Sequence, residues 1–335
     1  MADRLAWMGN SRVQHGKVNR RIYLMKLDPS DLPGILDDLD DLAQAGEYGK
    51  IFVKIPESSE PAFLQAGYRR EAFVPGFFSG LEAACFMARY PNPKRRRETA
   101  PEAVASVLAL ARDAAGEAKD FTNLPKENSG ESSGRPSNPK FSGGSGEKDS
   151  SESPEWCDWD ETFRSASGPS TLSPVRFRIL RPADTTKMAA LYRAVFPSYP
   201  FPILDPDYLR SCMENHVLYV GAEWDGTLAA ISAAEMDPSD RNVEMTDFAT
   251  LPEFRRHGLA RRLLARMEKE VRNFGIRTAY TIARAGSPGM NLAFAQSGYA
   301  FAGTLVNNTH IAGRIESMNV WYKRLDDSAG AQGLP

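Results

Sequence analysis

The sequence predicts an α/β fold built on a mixed central sheet, with a smaller α/β unit ahead of the main one. Three observations carry that expectation. Strand-like and helix-like periodicities alternate in both halves of the chain. A strand runs directly into an arginine-rich, glycine-containing helix start between 246 and 264. The run Phe63-Leu-Gln-Ala-Gly-Tyr68 is echoed by Phe294-Ala-Gln-Ser-Gly-Tyr299, which suggests that part of the later unit is duplicated in front of it.

Taken in order, Arg21 to Leu27 is rich in β-formers and reads as a strand. Residues 31–45 carry Leu32, Ile35, Leu36, Leu39 and Leu42 at spacings of three and four, which predicts an amphipathic helix stopped by Gly46. Ile51 to Ile55 reads as a buried strand and 60–66 as a short helix, with strands over 68–78 and 83–90. In the second half the pattern predicts a strand at 175–180, a helix at 184–195, and two strands at 217–224 and 227–235. Asp225-Gly226 between those two is a tight-hairpin signal. A strand at 243–250 leads to a helix over 258–274 with Leu259, Leu263, Met267 and Val271 on one face. A strand at 277–283, a helix at 290–296 and two strands near 299–307 and 315–323 complete the unit.

Between the halves the composition changes. Residues 119–168 are dominated by Ser, Gly, Pro, Glu, Asn and Lys, which cannot bury enough apolar surface to offset the entropy of ordering. The expected division is a partial unit over 1–90, a low-complexity and mostly disordered linker over 91–174, the main domain over 175–325 and a disordered tail over 326–335. Within the linker, 101–119 has helical spacing and Trp156 to Trp159 has the character of a docking segment.

Bulk properties exclude some classes. The 335 residues carry a formal net charge of -2, so no global field favours nucleic acid or an anionic membrane as partner. The three cysteines, Cys85, Cys157 and Cys212, show neither disulfide nor metal-ligand spacing, which fits a reducing compartment without a metal centre. Met1 to Gly16 lacks the apolar core of a secretory signal, and no run approaches the roughly 18 apolar residues of a membrane span. The cytoplasm is the expected location.

The chemistry concentrates in Thr246-Asp-Phe-Ala-Thr-Leu-Pro-Glu-Phe-Arg-Arg-His-Gly-Leu-Ala260. A helix start offers free backbone N–H groups and the positive end of a dipole. Small residues at Gly258 and Ala260 let a diphosphate approach that backbone, and Arg255, Arg256 and Arg261 add charge. No Gly-Lys-Ser/Thr or three-glycine pattern is present, so the turn is neither a Walker loop nor a dinucleotide site.

The arrangement Arg255-x-x-Gly258-x-Ala260 resembles the Arg/Gln-x-x-Gly-x-Gly/Ala signature of the GNAT acetyltransferases. Together with Arg21 to Leu27, Glu244 to Thr250 and Gly313 to Lys323 it is similar to the β-lysine N-acetyltransferases, over about residues 8–90 and 175–325. The polar insertion between them has no counterpart in that resemblance. It implies a GNAT fold with a mixed central sheet preceded by a partial GNAT-like unit. It also implies acetyl-CoA as cosubstrate and transfer of acetyl to the N6 amine of a small diamino acid, giving N6-acetyl-β-lysine, a compatible solute. A homodimer is compatible with the extra half-unit. Other acceptors (a polyamine, another diamino acid, a protein lysine) and a non-catalytic acyl-CoA-binding regulator are the alternatives.

The acceptor ammonium, with a pKa of about 10.4, must lose a proton before it can attack a thioester. Glu244 is the first candidate for the base and Asp247 the second. Three apart on an ideal strand, they point to opposite faces, so only one faces the substrate. Phe248, Ala249 and Thr250 would offer backbone N–H groups to the pantetheine arm and the thioester carbonyl. Arg255, Arg256, His257, Gly258, Leu259 and Ala260 would form the diphosphate turn. Many GNAT enzymes carry an acidic tyrosine where this chain has Phe294, so Tyr299 or Tyr322 is a candidate replacement. Glu235, Asn307, Asn308, Glu316 and Ser317 are candidates for binding the acceptor, with Asn307-Asn308 read alternatively as a hairpin turn.

Overall fold

A computed structural model describes residues 3–122, 175–197, 199–311 and 313–326. The chain opens with β1 (Arg4–Met8) and β2 (Ser11–Gly16). It continues through β3 (Arg21–Lys26), α1 (Gly34–Ala45), β4 (Lys50–Pro56), α2 (Glu60–Gln65), β5 (Arg69–Phe78), β6 (Glu82–Arg89) and α3 (Pro101–Thr122). The second half runs β7 (Arg176–Ile179), α4 (Thr185–Val195), α5 (Pro206–Glu214), β8 (Val217–Trp224), β9 (Thr227–Asp237) and β10 (Asn242–Thr250). It ends with α6 (Leu259–Arg272), β11 (Thr278–Arg284), α7 (Pro288–Gln296), β12 (Ala300–Ile311) and β13 (Arg314–Arg324).

Among the described residues all thirteen strands share one sheet, in the order β1-β2-β3-β4-β6-β5-β12-β13-β11-β10-β9-β8-β7. The order is mirrored about its centre. On one side β3 lies parallel to β4, which is followed antiparallel by β6 and β5. On the other, β10 lies parallel to β11, followed antiparallel by β13 and β12. The sequence echo has the same geometry in both halves. Phe63 and Tyr68 meet edge to face at 5.1 Å, Phe294 and Tyr299 at 5.0 Å, and Gly67 and Gly298 both take φ 82°. The duplication also extends further forward than the sequence suggested. The β1–β2 hairpin stands where β8 and β9 stand in the other half; its short strands, with Leu5 and Trp7 exposed, give no buried periodicity to read.

The halves meet where Gly303 of β12 pairs with Ala72 of β5. Gly303 has φ 147°, and an added Cβ would lie 2.1 Å from the Glu71 carbonyl oxygen and 2.7 Å from the Ala72 Cα. Around it, buried Lys50 binds Glu71 at 2.7 Å and the Val306 carbonyl at 2.7 Å, and Arg21 donates to the Asn308 carbonyl at 2.7 Å. Gly303→Ala is therefore expected to destabilise the protein by on the order of 2–4 kcal/mol. Thermal melting checks this, and an unchanged midpoint would show that the seam yields.

Helix α3 occupies Pro101–Thr122, inside the stretch expected to be linker. Val107, Ala111 and Ala114, at helical spacing, are buried, and the helix packs on α7. Residues 123–174, with Trp156 to Trp159, and the tail from 327 lie outside the described residues. No helix among the described residues is long and apolar enough to cross a membrane.

Candidate active site

The predicted diphosphate turn is an open helix start. After β10 the chain makes one short turn at Pro252–Phe254 and enters α6 through Gly258, whose φ of 67° suits glycine. Residues 255–258 are exposed, and no side chain caps the first N–H groups of α6. Arg255 bonds back to the Thr250 carbonyl at 3.2 Å, and His257 leans on the Trp224 ring at 4.8 Å. Leu259, Leu263, Leu264, Met267 and Val271 anchor the helix in the core, fixing where the free N–H groups point. These residues fit a diphosphate: open backbone donors, a glycine that no protein atom crowds, and flanking arginines. The equivalent turn of the first half, after β3, is filled by its own carboxylates. Asp28 caps the Ser30 N–H, and Asp31 takes the Asn10 N–H and the Ser11 hydroxyl.

Beside this turn the sheet opens. Strands β10 and β11 are paired only from Asn242–Thr278 to Glu244–Tyr280, so the β11-facing edge of β10 is unpaired from Met245 onward. At the opening β10 bulges: three steps from Thr246 to Ala249 match two steps from Ala233 to Ile231 on β9, and Asp247 takes a left-handed φ of 53°. Before the bulge Val243 and Met245 pack on the α6 side; after it Ala249 packs on the α4–α5 side. The extra residue corrects the expectation that Glu244 and Asp247 face opposite ways. Both lie on one face, and Glu244 stands directly across from Glu235 on β9.

Three carboxylates are thus crowded together. Asp247 is buried and accepts from the Tyr199 hydroxyl; burial pushes its pKa up to about 6, against the pull of the Tyr199 and Thr246 hydrogen bonds. Glu244 accepts from the Tyr280 hydroxyl at 3.0 Å and is raised by burial, with Lys54 opposing. Glu235 is raised well above the usual carboxylate range by its enclosure and then by Asp247 and Glu244. Its side chain reaches the surface where it lines the cavity. That cavity, about 190 Å³, is bounded by Lys54, Asn215, Glu235, Asp237, Glu244 and Tyr280. No three His, Cys, Asp or Glu side chains among the described residues are grouped to hold a metal ion.

Other expected site residues lie elsewhere. Asn307 and Asn308 are inside β12, not in a hairpin turn. Asn307 donates to the Arg95 and Arg97 carbonyls, and Asn308 gives its carbonyl to Arg21. Glu316 is held by Arg284 at 2.8 Å and by Arg314 at 3.0 Å, and the Ser317 hydroxyl donates to Glu98. These four serve the seam and its flank, and none of them bounds the carboxylate cavity. Tyr299 packs edge to face on Phe294, and its hydroxyl is buried toward Glu268 on the α6 side. It does not bound the carboxylate cavity. Phe294 itself touches Phe248 at 5.6 Å.

The sequence reading missed Lys54, Tyr199 and Tyr280. Lys54 left one signal, a charge inside the apolar run 51–55, where alternation puts it on the face of Phe52.

Comparison with known proteins agrees with this geometry. Residues 186–299 match the Acetyltransferase (GNAT) family. The chain is 32% identical over 321 residues to the beta-lysine N(6)-acetyltransferase of Methanococcus maripaludis, covering 96% of this chain and 98% of that protein. It is 42% identical over 149 residues to the beta-lysine N(6)-acetyltransferase of Methanosarcina mazei, covering 44% of this chain and 55% of that one. The N-acetyltransferase YodP of Bacillus subtilis is 29% identical over 315 residues, with 93% and 95% covered.

Proposed function

The chain belongs to the GNAT family of acetyltransferases and is an N-acetyltransferase, and on that premise we propose that it moves acetyl from acetyl-CoA to the N6 amine of β-lysine. The observation that carries this reading is the crowd of Glu235, Glu244 and Asp247 beside the opening between β10 and β11. Carboxylates enclosed together attract an ammonium and can then take its proton. The name of the near-full-length relative from Methanococcus maripaludis supplies the choice among ammonium-bearing acceptors. The product, N6-acetyl-β-lysine, would serve as a compatible solute.

In the proposed reaction the CoA diphosphate rests on the start of α6, at Arg255 to Ala260. The pantetheine arm runs into the opening along Phe248, Ala249 and Thr250. Glu244 accepts the proton of the N6 ammonium, directly or through water. The freed amine adds to the thioester carbonyl, whose developing negative charge is met by backbone N–H groups of β10. The C–S bond then breaks, the nitrogen gives up its second proton to solvent as the amide forms, and the departing thiolate takes up a proton from solvent. Asp247 and Glu235 hold the ammonium while the base works.

A thiol-release assay with acetyl-CoA against β-lysine, α-lysine, spermidine and a lysine peptide tests the acceptor. β-Lysine should give the highest kcat/KM; a preference for the peptide would overturn the assignment.

The carboxylates also set a pH dependence. Asp247 is raised to about 6, so the cluster gains a proton well above the ordinary carboxylate range. The acid limb of kcat/KM should therefore fall near pH 6 instead of near pH 4. The stability sign is the reverse of the usual carboxylate case. A folded pKa above the unfolded one means stability that is present at acid pH and is lost as pH rises through about 6. The melting temperature should rise as pH is lowered from about 7 to about 5. A fall over that window would show that the carboxylates are not crowded in solution.

A further inference from the structure

Lys54 enters the cavity from the other half of the molecule. It lies on β4, and its ammonium donates to the Tyr280 hydroxyl at 3.3 Å while Tyr280 donates to Glu244 at 3.0 Å. It stands 5.2 Å from the Phe77 ring centre and 5.5 Å from that of Tyr280. Among the described residues no carboxylate is within ion-pair distance of it, and it is the one cationic side chain bounding the cavity. Among the described residues the Tyr280 hydroxyl is the one acceptor for its three N–H donors. Holding a half-buried ammonium in this way has a desolvation cost, and burial indeed lowers its pKa.

We propose that Lys54 binds the carboxylate of the acceptor, so that the N-terminal half selects amino acids over simple diamines; this rests on the acceptor reading above. Charge counting supports it. Of the carboxylates that line the cavity, Asp237 is paired with Lys26 at 3.2 Å, which leaves Glu235 and Glu244 beside one ammonium, Lys54. β-Lysine is the complement, with two ammoniums and one carboxylate, whereas a diamine has no group for Lys54. Length agrees as well. The six bonds from the carboxylate carbon to N6, about 1.5 Å each, span roughly 7–8 Å when extended. Lys54 and Glu244 both bond to the Tyr280 hydroxyl, at 3.3 and 3.0 Å, so an acceptor of this length is long enough to bridge them. With its carboxylate at Lys54, N6 comes within reach of Glu244, directly or through water.

The test compares kcat/KM for β-lysine and for 1,4-diaminopentane, its counterpart without the carboxylate. Wild-type enzyme should prefer β-lysine, and Lys54→Met should collapse that ratio by about 10- to 100-fold, mainly through the KM of β-lysine. Lys54→Arg should retain most of the preference. Melting and acetyl-CoA affinity report whether the variants fold, and Lys54→Gln replaces Lys54→Met if that protein does not. An equal loss on both acceptors would mean that Lys54 only balances the carboxylates, and would overturn the proposal. If wild-type enzyme does not acetylate β-lysine, the acceptor assignment fails first and this inference falls with it.

Discussion

Gly258→Glu is expected to weaken acetyl-CoA binding by more than about a hundredfold, to the limit of detection by calorimetry. Two effects add. A side chain at φ 67° strains the turn by on the order of 1 kcal/mol, and the new carboxylate faces the diphosphate across a site built for anions. No protein atom lies within 4 Å of the added Cβ, so folding is not obstructed by a clash. The melting curve should therefore shift little while affinity collapses. Gly258→Ala, which introduces only the strain and a methyl group, should show an intermediate loss. Unchanged affinity in the glutamate variant would remove the diphosphate from this turn.

Glu244→Gln is expected to lower kcat by about 10²–10⁴ with acetyl-CoA affinity unchanged. Glutamine keeps an oxygen to accept from Tyr280, so the local hydrogen bond survives while the proton acceptor is lost. Asp247→Asn should cost less, because its carboxylate is already committed to Tyr199 and Thr246. Steady-state kinetics on both variants decides between them. Full activity in Glu244→Gln with a large loss in Asp247→Asn would transfer the role of base to Asp247.

The strand, turn and helix of the proposed diphosphate site were legible because they are local: a strand end, two small residues, arginines and an amphipathic helix all lie within 20 residues of sequence. The duplicated Phe–Gly-Tyr unit was legible for the same reason, since a helix stop and a strand start need glycine at a left-handed position. Where contacts are remote, the reading failed. Nothing in Glu244 to Thr250 announces an extra residue, yet the bulge reverses which side chains share a face and brings Asp247 beside Glu244. Asn307 and Asn308 looked like turn chemistry because their partners, Arg95, Arg97 and Arg21, are about 200 or more residues away in the chain. Tyr299 was a candidate because Phe294 stands where many GNAT enzymes carry a tyrosine, but which side of the sheet it faces depends on packing against α6. Lys54 stands out only once β4 is known to lie near Tyr280.

The two halves of the mirrored sheet differ at the turns that follow β3 and β10. The first half keeps the strand order of a cosubstrate-binding unit, but Asp28 and Asp31 have stoppered its own turn from within. Lys54 of β4 is the one residue of this half among those lining the carboxylate cavity. On the proposed acceptor binding, severing the two halves would leave neither with the whole of that chamber.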